Sequence, residues 1–223
     1  MPLCAQNSAS PDLDTPVPAT VPATPEDKHI FGVLSNYRTA DGSTPFAPIN
    51  AKQKMTIAWN DTKDGPAYGI AAVFSGLYQL ENQNPSFGQG LKGYAHRYGC
   101  SLIDQDFGNM MSEGVLPVLF HEDPRYFRRS TGSFRSRFFY AATRVLVTKS
   151  DSGRNTLNVA ELLGNGMVGA LGNVYYVDNR GLNDTVTRLF TQTATDAISN
   201  VLKEFWPDVK KHFAKKHSAT DPE

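Results

Sequence analysis

The chain has 223 residues, 40% of them hydrophobic, and its Lys plus Arg balance its Asp plus Glu at 22 each. That length suits one large domain with a tail, and the apolar fraction is enough for an ordinary core. Zero formal charge argues against a nucleic-acid binder, which usually carries a clear basic excess, and no uninterrupted run of ~18 apolar residues marks a conventional transmembrane helix.

Residues 1–28 carry six prolines among Ala, Thr, Ser and Asp. Proline removes backbone donors, and few large apolar side chains are present to offset ordering entropy, so this reads as a disordered, polyproline-like leader. Its first five residues, MPLCA, followed by QNSASPDLDTP, read like the end of a signal peptide running into a mature N-terminus, although a full apolar region is missing. The expectation is an exported protein, periplasmic or extracellular, with the leader as a tether. With Cys4 in the leader, Cys100 is left without a disulfide partner.

Residues 29–48 read as an extended arm docking on the domain, with strand as the alternative. Residues 49–217 read as a helical domain and residues 218–223 as a disordered tail. Asn50 with Gln53 forms a capping box that opens the first helix, and Asp64-Gly65-Pro66 ends it. Pro66 suits the first turn of a helix running to about Glu81, on which Gly65, Gly69, Ala72 and Gly76 form a small-residue face. Gly88, Gly90 and Gly93 carry no phosphate-loop lysine pattern and read instead as close helix packing. Helix resumes from about Leu102 to Leu116, where Pro117 kinks or ends it.

Phe134 to Val147 reads as a helix with Phe138, Phe139, Ala142, Val145 and Leu146 on its apolar side. Asn158 with Glu161 suggests a second capping box, before a helix whose Gly166, Gly169 and Gly172 recur at three-residue steps. From Asp184 to Phe205 the apolar residues Val186, Leu189, Phe190, Ala194, Ala197, Ile198, Val201, Leu202 and Phe205 keep helical spacing throughout. Nothing sustains a period of two. The expected fold is all-α, a compact multi-helix bundle with close packing at glycine and alanine.

The densest charge lies between Phe107 and Arg137. Glu113, His121, Glu122 and Asp123 are acid–base candidates of the kind a hydrolase uses. Arg125, Arg128, Arg129, Arg135 and Arg137, threaded with Ser130, Thr131, Gly132 and Ser133, are candidates for holding a phosphate or carboxylate by paired hydrogen bonds. The plainer alternatives are a polar helix end and a solvated loop whose arginines pair with neighbouring acids. His96 and Cys100 share a helical face, but packing is the simpler role. Glu81, Asp104, Asp106, Asn109, Glu161, Asn165, Asn173, Asp196 and Asn200 lie among small apolar residues and form a candidate interior network. No spacing indicates a metal, and no cofactor is expected.

Several segments occur together: IFGVLSNYRT (30–39), NPSFGQGLKGYAHRYG (84–99), HEDPRYFRR (121–129), DSGRNTLNVAELLGN (151–165) and NVLKEFWPD (200–208). Together they resemble a group of uncharacterised exported proteins of acidobacterial-type soil bacteria, over roughly Ile30 to His217. The resemblance implies export and brings no activity, cofactor or catalytic residue. Ser136-Arg137 resembles part of the lipid-phosphatase signature, but position 143 is Thr and no Ser-Gly-His occurs, so the histidine nucleophile is absent.

The leading expectation is an exported, envelope-associated helical binding or scaffold protein with an Arg-rich loop that contacts an anion. Its partner would be an anionic small molecule, a lipid headgroup or an envelope component, with peripheral membrane contact and no nucleic acid. The alternatives are a hydrolase built on Glu113, His121, Glu122 and Asp123, and a bundle partly inserted in a membrane.

Overall fold

A computed structural model describes residues 28–32 and 34–218; the leader and the last residues of the tail lie outside them. Helix takes 65% of the structure and strand about 10%. The mostly helical expectation holds, but strictly all-α is corrected by three small sheets. The strands are two to four residues long, too short for a period of two to show in sequence.

The arm contributes β1 (His29–Ile30) and β2 (Leu34–Ser35), an antiparallel pair, then β3 (Thr39–Asp41). β3 runs parallel to β5 (Tyr126–Arg128), with Thr39 opposite Tyr126 and Asp41 opposite Arg128. β4 (Glu122–Asp123), β6 (Val147–Ser150) and β7 (Asn155–Leu157) form an antiparallel sheet in that order. These ladders clamp the charged central stretch between the arm and the β6–β7 hairpin.

The helices are α1 (Ala51–Thr62), α2 (Gly65–Leu80), α3 (Gly90–Asn109), α4 (Leu116–Leu119), α5 (Phe134–Thr143), α6 (Val159–Tyr175) and α7 (Leu182–Ser218). Both reciprocal bonds of the Asn50–Gln53 box are made, so local chemistry sets the start of α1. At α6 only half of the expected box forms. The Asn158 side chain accepts from the Glu161 amide, while the Glu161 carboxylate turns inward. Glu122 takes its place, accepting from the amides of Val159 at 3.1 Å and Ala160 at 2.9 Å. A carboxylate there satisfies two orphan donors and complements the helix dipole.

Pro117 does not end its segment. A π-helical stretch, Met110–Val115, joins α3 to α4, and its widened turn accommodates a ring that would otherwise meet the carbonyl four residues back. Glu113 lies in that stretch.

The helices are inverted in polarity. On α7 several of the regularly spaced apolar residues face outward, with Phe190 69% and Ile198 62% exposed and Val186 and Leu202 exposed to a lesser degree, while Leu189, Ala197, Val201 and Phe205 are half-buried. Arg188, Asp196, Asn200, Lys203 and Glu204 turn inward, making contacts with α6 and α5 or lying buried between the elements. On α6, Glu161, Gly164, Asn165, Gly169 and Gly172 are buried while Leu163, Met167 and Val174 are exposed. Periodicity located these helices, yet the apolar stripe is not the side they bury.

Glycine acts locally rather than as a uniform packing face. A Cβ on Gly164 would stand 2.8 Å from Ser112 Cβ, and one on Gly169 would stand 3.1 Å from the Thr185 carbonyl oxygen. Gly65, Gly69 and Gly166 face open space, so the stripe expected on α2 is not a close helix contact. Gly88 and Gly90 adopt positive φ and build a turn. The buried Arg97 guanidinium gathers the carbonyls of Gln83, Asn84 and Gly88 beneath that turn, together with the Gln79 side chain.

These environments separate two substitutions with the same helix propensity. Gly166→Ala is expected to stabilise the fold by roughly 0.5–1 kcal/mol. Gly164→Ala is expected to destabilise it by about 1–3 kcal/mol, because the added methyl overpacks against Ser112. Urea denaturation of both variants measures the contrast, and equal effects would contradict the close approach.

Candidate functional site

The polar interior is built around Arg38. The backbone leaves β2, turns, and presents this guanidinium to the helices, 3.1 Å from Glu113 Oε1 and 3.4 Å from Glu161 Oε2. Glu113 comes from the π-helical stretch, Glu161 from the first turn of α6, and both are buried. Asp61 of α1 adjoins Glu113 and accepts from the Ser35 hydroxyl. From α7, Asp196 receives the Asn165 amide at 2.9 Å, and Lys203 is buried within electrostatic reach of Arg38, Asp61, Glu113 and Asp196.

Two cations among four carboxylates leave an excess of negative charge in a dry environment, where it is most costly. Burial pushes Glu113 well above the usual carboxylate range, the neighbouring Asp61 adds to this, and Arg38 opposes it. Burial likewise raises Glu161 to about 7 against the pull of Arg38. Lys203 falls to about 8 because burial and Arg38 disfavour its charge. For Arg38, burial works toward a lower value, but Glu113 and Glu161 prevail and raise it. Glu113 Oε2 meets no hydrogen-bond donor among the described residues. Protonation of Glu113, favoured by its burial and by the neighbouring Asp61, reduces the charge excess.

A second network surrounds Glu204, which is 0% exposed. Its carboxylate accepts from the Tyr126 hydroxyl at 2.7 Å, the amides of Arg129 and Ser130 at 2.9 Å, and Arg137 Nε at 2.9 Å. Arg137 also binds Asp208 at 2.6 Å and donates to the Glu204 carbonyl. α7 thereby holds the loop before α5 by its backbone.

The residues singled out in sequence are distributed over separate environments. Glu113 joins the Arg38 centre. His121 is exposed, with Nδ1 3.7 Å from Asp151. Glu122 caps α6, and Asp123 grips Arg125 through its Nε and Nη2. Arg137 is held by Glu204 and Asp208. Arg128 is half-buried, and its Nε finds no acceptor among the described residues. Arg129 and Arg135 are exposed, Arg129 donating to Ser136. His96 stacks on Phe87 at 3.9 Å, and burial lifts the Cys100 thiol to about 11; neither residue activates the other.

Of the expected interior network, Glu161, Asn165, Asp196 and Asn200 gather at this centre. Asn173 bonds Thr185 and Arg188, Asp104 accepts from Tyr175 and Tyr176, and Glu81 is exposed. Sequence reasoning missed Arg38, Asp61, Lys203 and Glu204. The signal for the last two is a charged Lys-Glu pair inside the apolar run NVLKEFW. Among the described residues no His, Cys, Asp and Glu group is arranged to hold a metal ion.

Because Glu161 titrates near 7 in the fold and near 4.5 when unfolded, its stabilising contribution is complete below about 4.5 and lost as pH rises through about 7. The wild-type Tm is therefore expected to fall between about pH 5 and 7, a window in which Lys203, at about 8 in the fold, stays mostly charged in both states. In Glu161→Gln the decline should be smaller by on the order of 5 °C, with Glu113, Asp104 and Asp106, also raised by burial, supplying the remainder. Calorimetry across that range tests it; equal slopes would remove Glu161 from the titration.

Compared with known proteins, the chain matches no family model, no curated protein sequence and no solved structure.

Proposed function

We propose that this chain is a lipid-surface binding protein of helical architecture, acting as a scaffold at the envelope and seating on anionic membrane through α5 and the loop before it. The observation that carries the reading is an aromatic face set among exposed arginines. Phe134 is 66% and Phe139 65% exposed, with Phe138 beside them. Phe134 packs near Phe138 and Phe205, Arg135 is exposed on the same helix, and Arg129 of the loop donates to Ser136 of that helix.

Large apolar rings bordered by cations suit the boundary between acyl chains and anionic headgroups. The seat is held rigid from behind, since Glu204 fixes the loop amides and Arg137 anchors α5 to α7. The outward apolar stripes of α6 and α7 agree with contact at an apolar boundary. Among the described residues no helix is long and apolar enough to cross a membrane, so the reading is contact from one side. Export, expected from the N-terminal sequence, would bring the protein to such a surface. The acid–base alternative lacks equivalent support, because Glu113, His121, Glu122 and Asp123 each answer to a different partner.

Flotation of the full chain with vesicles tests the assignment. Binding is expected to vesicles containing phosphatidylglycerol, to weaken with salt, and to be slight on phosphatidylcholine alone. Arg129→Gln with Arg135→Gln should lower partitioning about 30-fold, at roughly 1 kcal/mol per charge. Phe134→Ser with Phe139→Ser should lower it at least about 10-fold. No flotation of the wild type, or undiminished flotation of both double variants, would refute the proposal. Reversible self-association that hides these phenylalanines would assign the face to a second copy instead.

A further inference from the structure

A cleft opens between the β4–β5 connection, the end of α5, strand β6 and the start of α6. Four cations line it: Arg38, Arg125, Arg144 and Lys149. Two are neutralised, Arg38 by Glu113 and Glu161 and Arg125 by Asp123. The other two have no carboxylate partner among the described residues. Arg144 reaches the Asn155 side chain and the Val147 carbonyl and lies over Tyr140, while Lys149 Nζ stands over the rings of Phe46 and Phe127. These are neutral supports that position positive charge without cancelling it.

A second observation comes from α7. Asn200 is only 6% exposed and lines the same cleft, yet its carboxamide makes no hydrogen bond to a described residue. A carboxamide in the cleft lining without a protein partner leaves donor and acceptor capacity available to the cleft. The cleft itself offers about 20 Å³, room for a water molecule, so a larger group would sit over its mouth.

We propose that this cleft binds a phosphate group, with Arg144 as a positioned guanidinium charge, Lys149 as the point charge and Asn200 as a neutral hydrogen-bonding group, directly or through water. A phosphate monoester carries close to two negative charges near neutral pH and three acceptor oxygens. That charge matches the two unpaired cations better than a single carboxylate does, and guanidinium plus ammonium is a recurrent pairing for it. The site is distinct from the lipid seat on α5, and uses different residues.

Isothermal titration of the full chain with inorganic phosphate and, separately, with monomeric dihexanoyl phosphatidic acid tests the proposal and distinguishes a free phosphate from a lipid headgroup. Saturable binding of at least one probe is expected, weakened at least about 10-fold in Arg144→Gln with Lys149→Gln. It should be unchanged in Lys92→Gln, on the exposed start of α3. Preference for the short-chain lipid would identify a headgroup as the source; preference for inorganic phosphate would identify a free phosphate. Should the double variant lose its fold by circular dichroism, Lys149→Gln alone gives the answer, since that side chain makes no hydrogen bond to a described residue; it should still weaken binding several-fold. Absence of saturable binding of both probes, or undiminished affinity in a folded variant lacking these charges, would overturn the assignment.

Discussion

Arg38 between Glu113 and Glu161 is the constraint on which the rest of the structure depends. One guanidinium joins the N-terminal arm, the π-helical stretch and the first turn of α6, elements far apart in sequence. Removing it would leave buried carboxylates facing one another, which costs far more than losing an exposed pair. The π-helical stretch gains a physical role here. It accommodates Pro117 and presents Glu113 to the interior within the same turn.

Polar interior and apolar exterior are two consequences of one arrangement. Helices that turn Asp196, Asn200, Lys203 and Glu204 toward their neighbours must turn Phe190, Ile198 and Leu202 away. The interior is then held largely by ion pairs and hydrogen bonds, while the outer faces retain apolar area available for contact. Glu204 links the two layers: the carboxylate that completes the interior also positions the amides of Arg129 and Ser130, and with them the loop that leads into the aromatic face of α5.

Charge near α5 and β6 divides by its environment. Arg125 and Arg137 have structural carboxylate partners, whereas Arg129 and Arg135 face outward and Arg144 and Lys149 rest on aromatic rings. The same residue type thus serves framework, surface and cleft. Its role follows from the distance to the nearest acid rather than from its density along the chain.

Sequence by itself located most of the helices and several of their boundaries, although α3 starts at Gly90 rather than near Leu102 and α5 ends at Thr143 rather than Val147. The Asn50–Gln53 box, the Asp64-Gly65-Pro66 break and the long periodic stretch of α7 are local signals written within a few residues, where propensity and capping act. It also placed Glu161, Asn165 and Asp196 in an interior network, because polar side chains among small apolar ones need partners. Only the tertiary structure decided which face of α7 turns inward. A period near 3.6 reports the existence of an apolar stripe and not what covers it. Arg38 was illegible for the same reason: its partners lie 75 and 123 residues away along the chain, and no local pattern encodes such pairings. The sheets were hidden by the brevity of their strands, and the cleft by its assembly from five separate segments that only folding brings together.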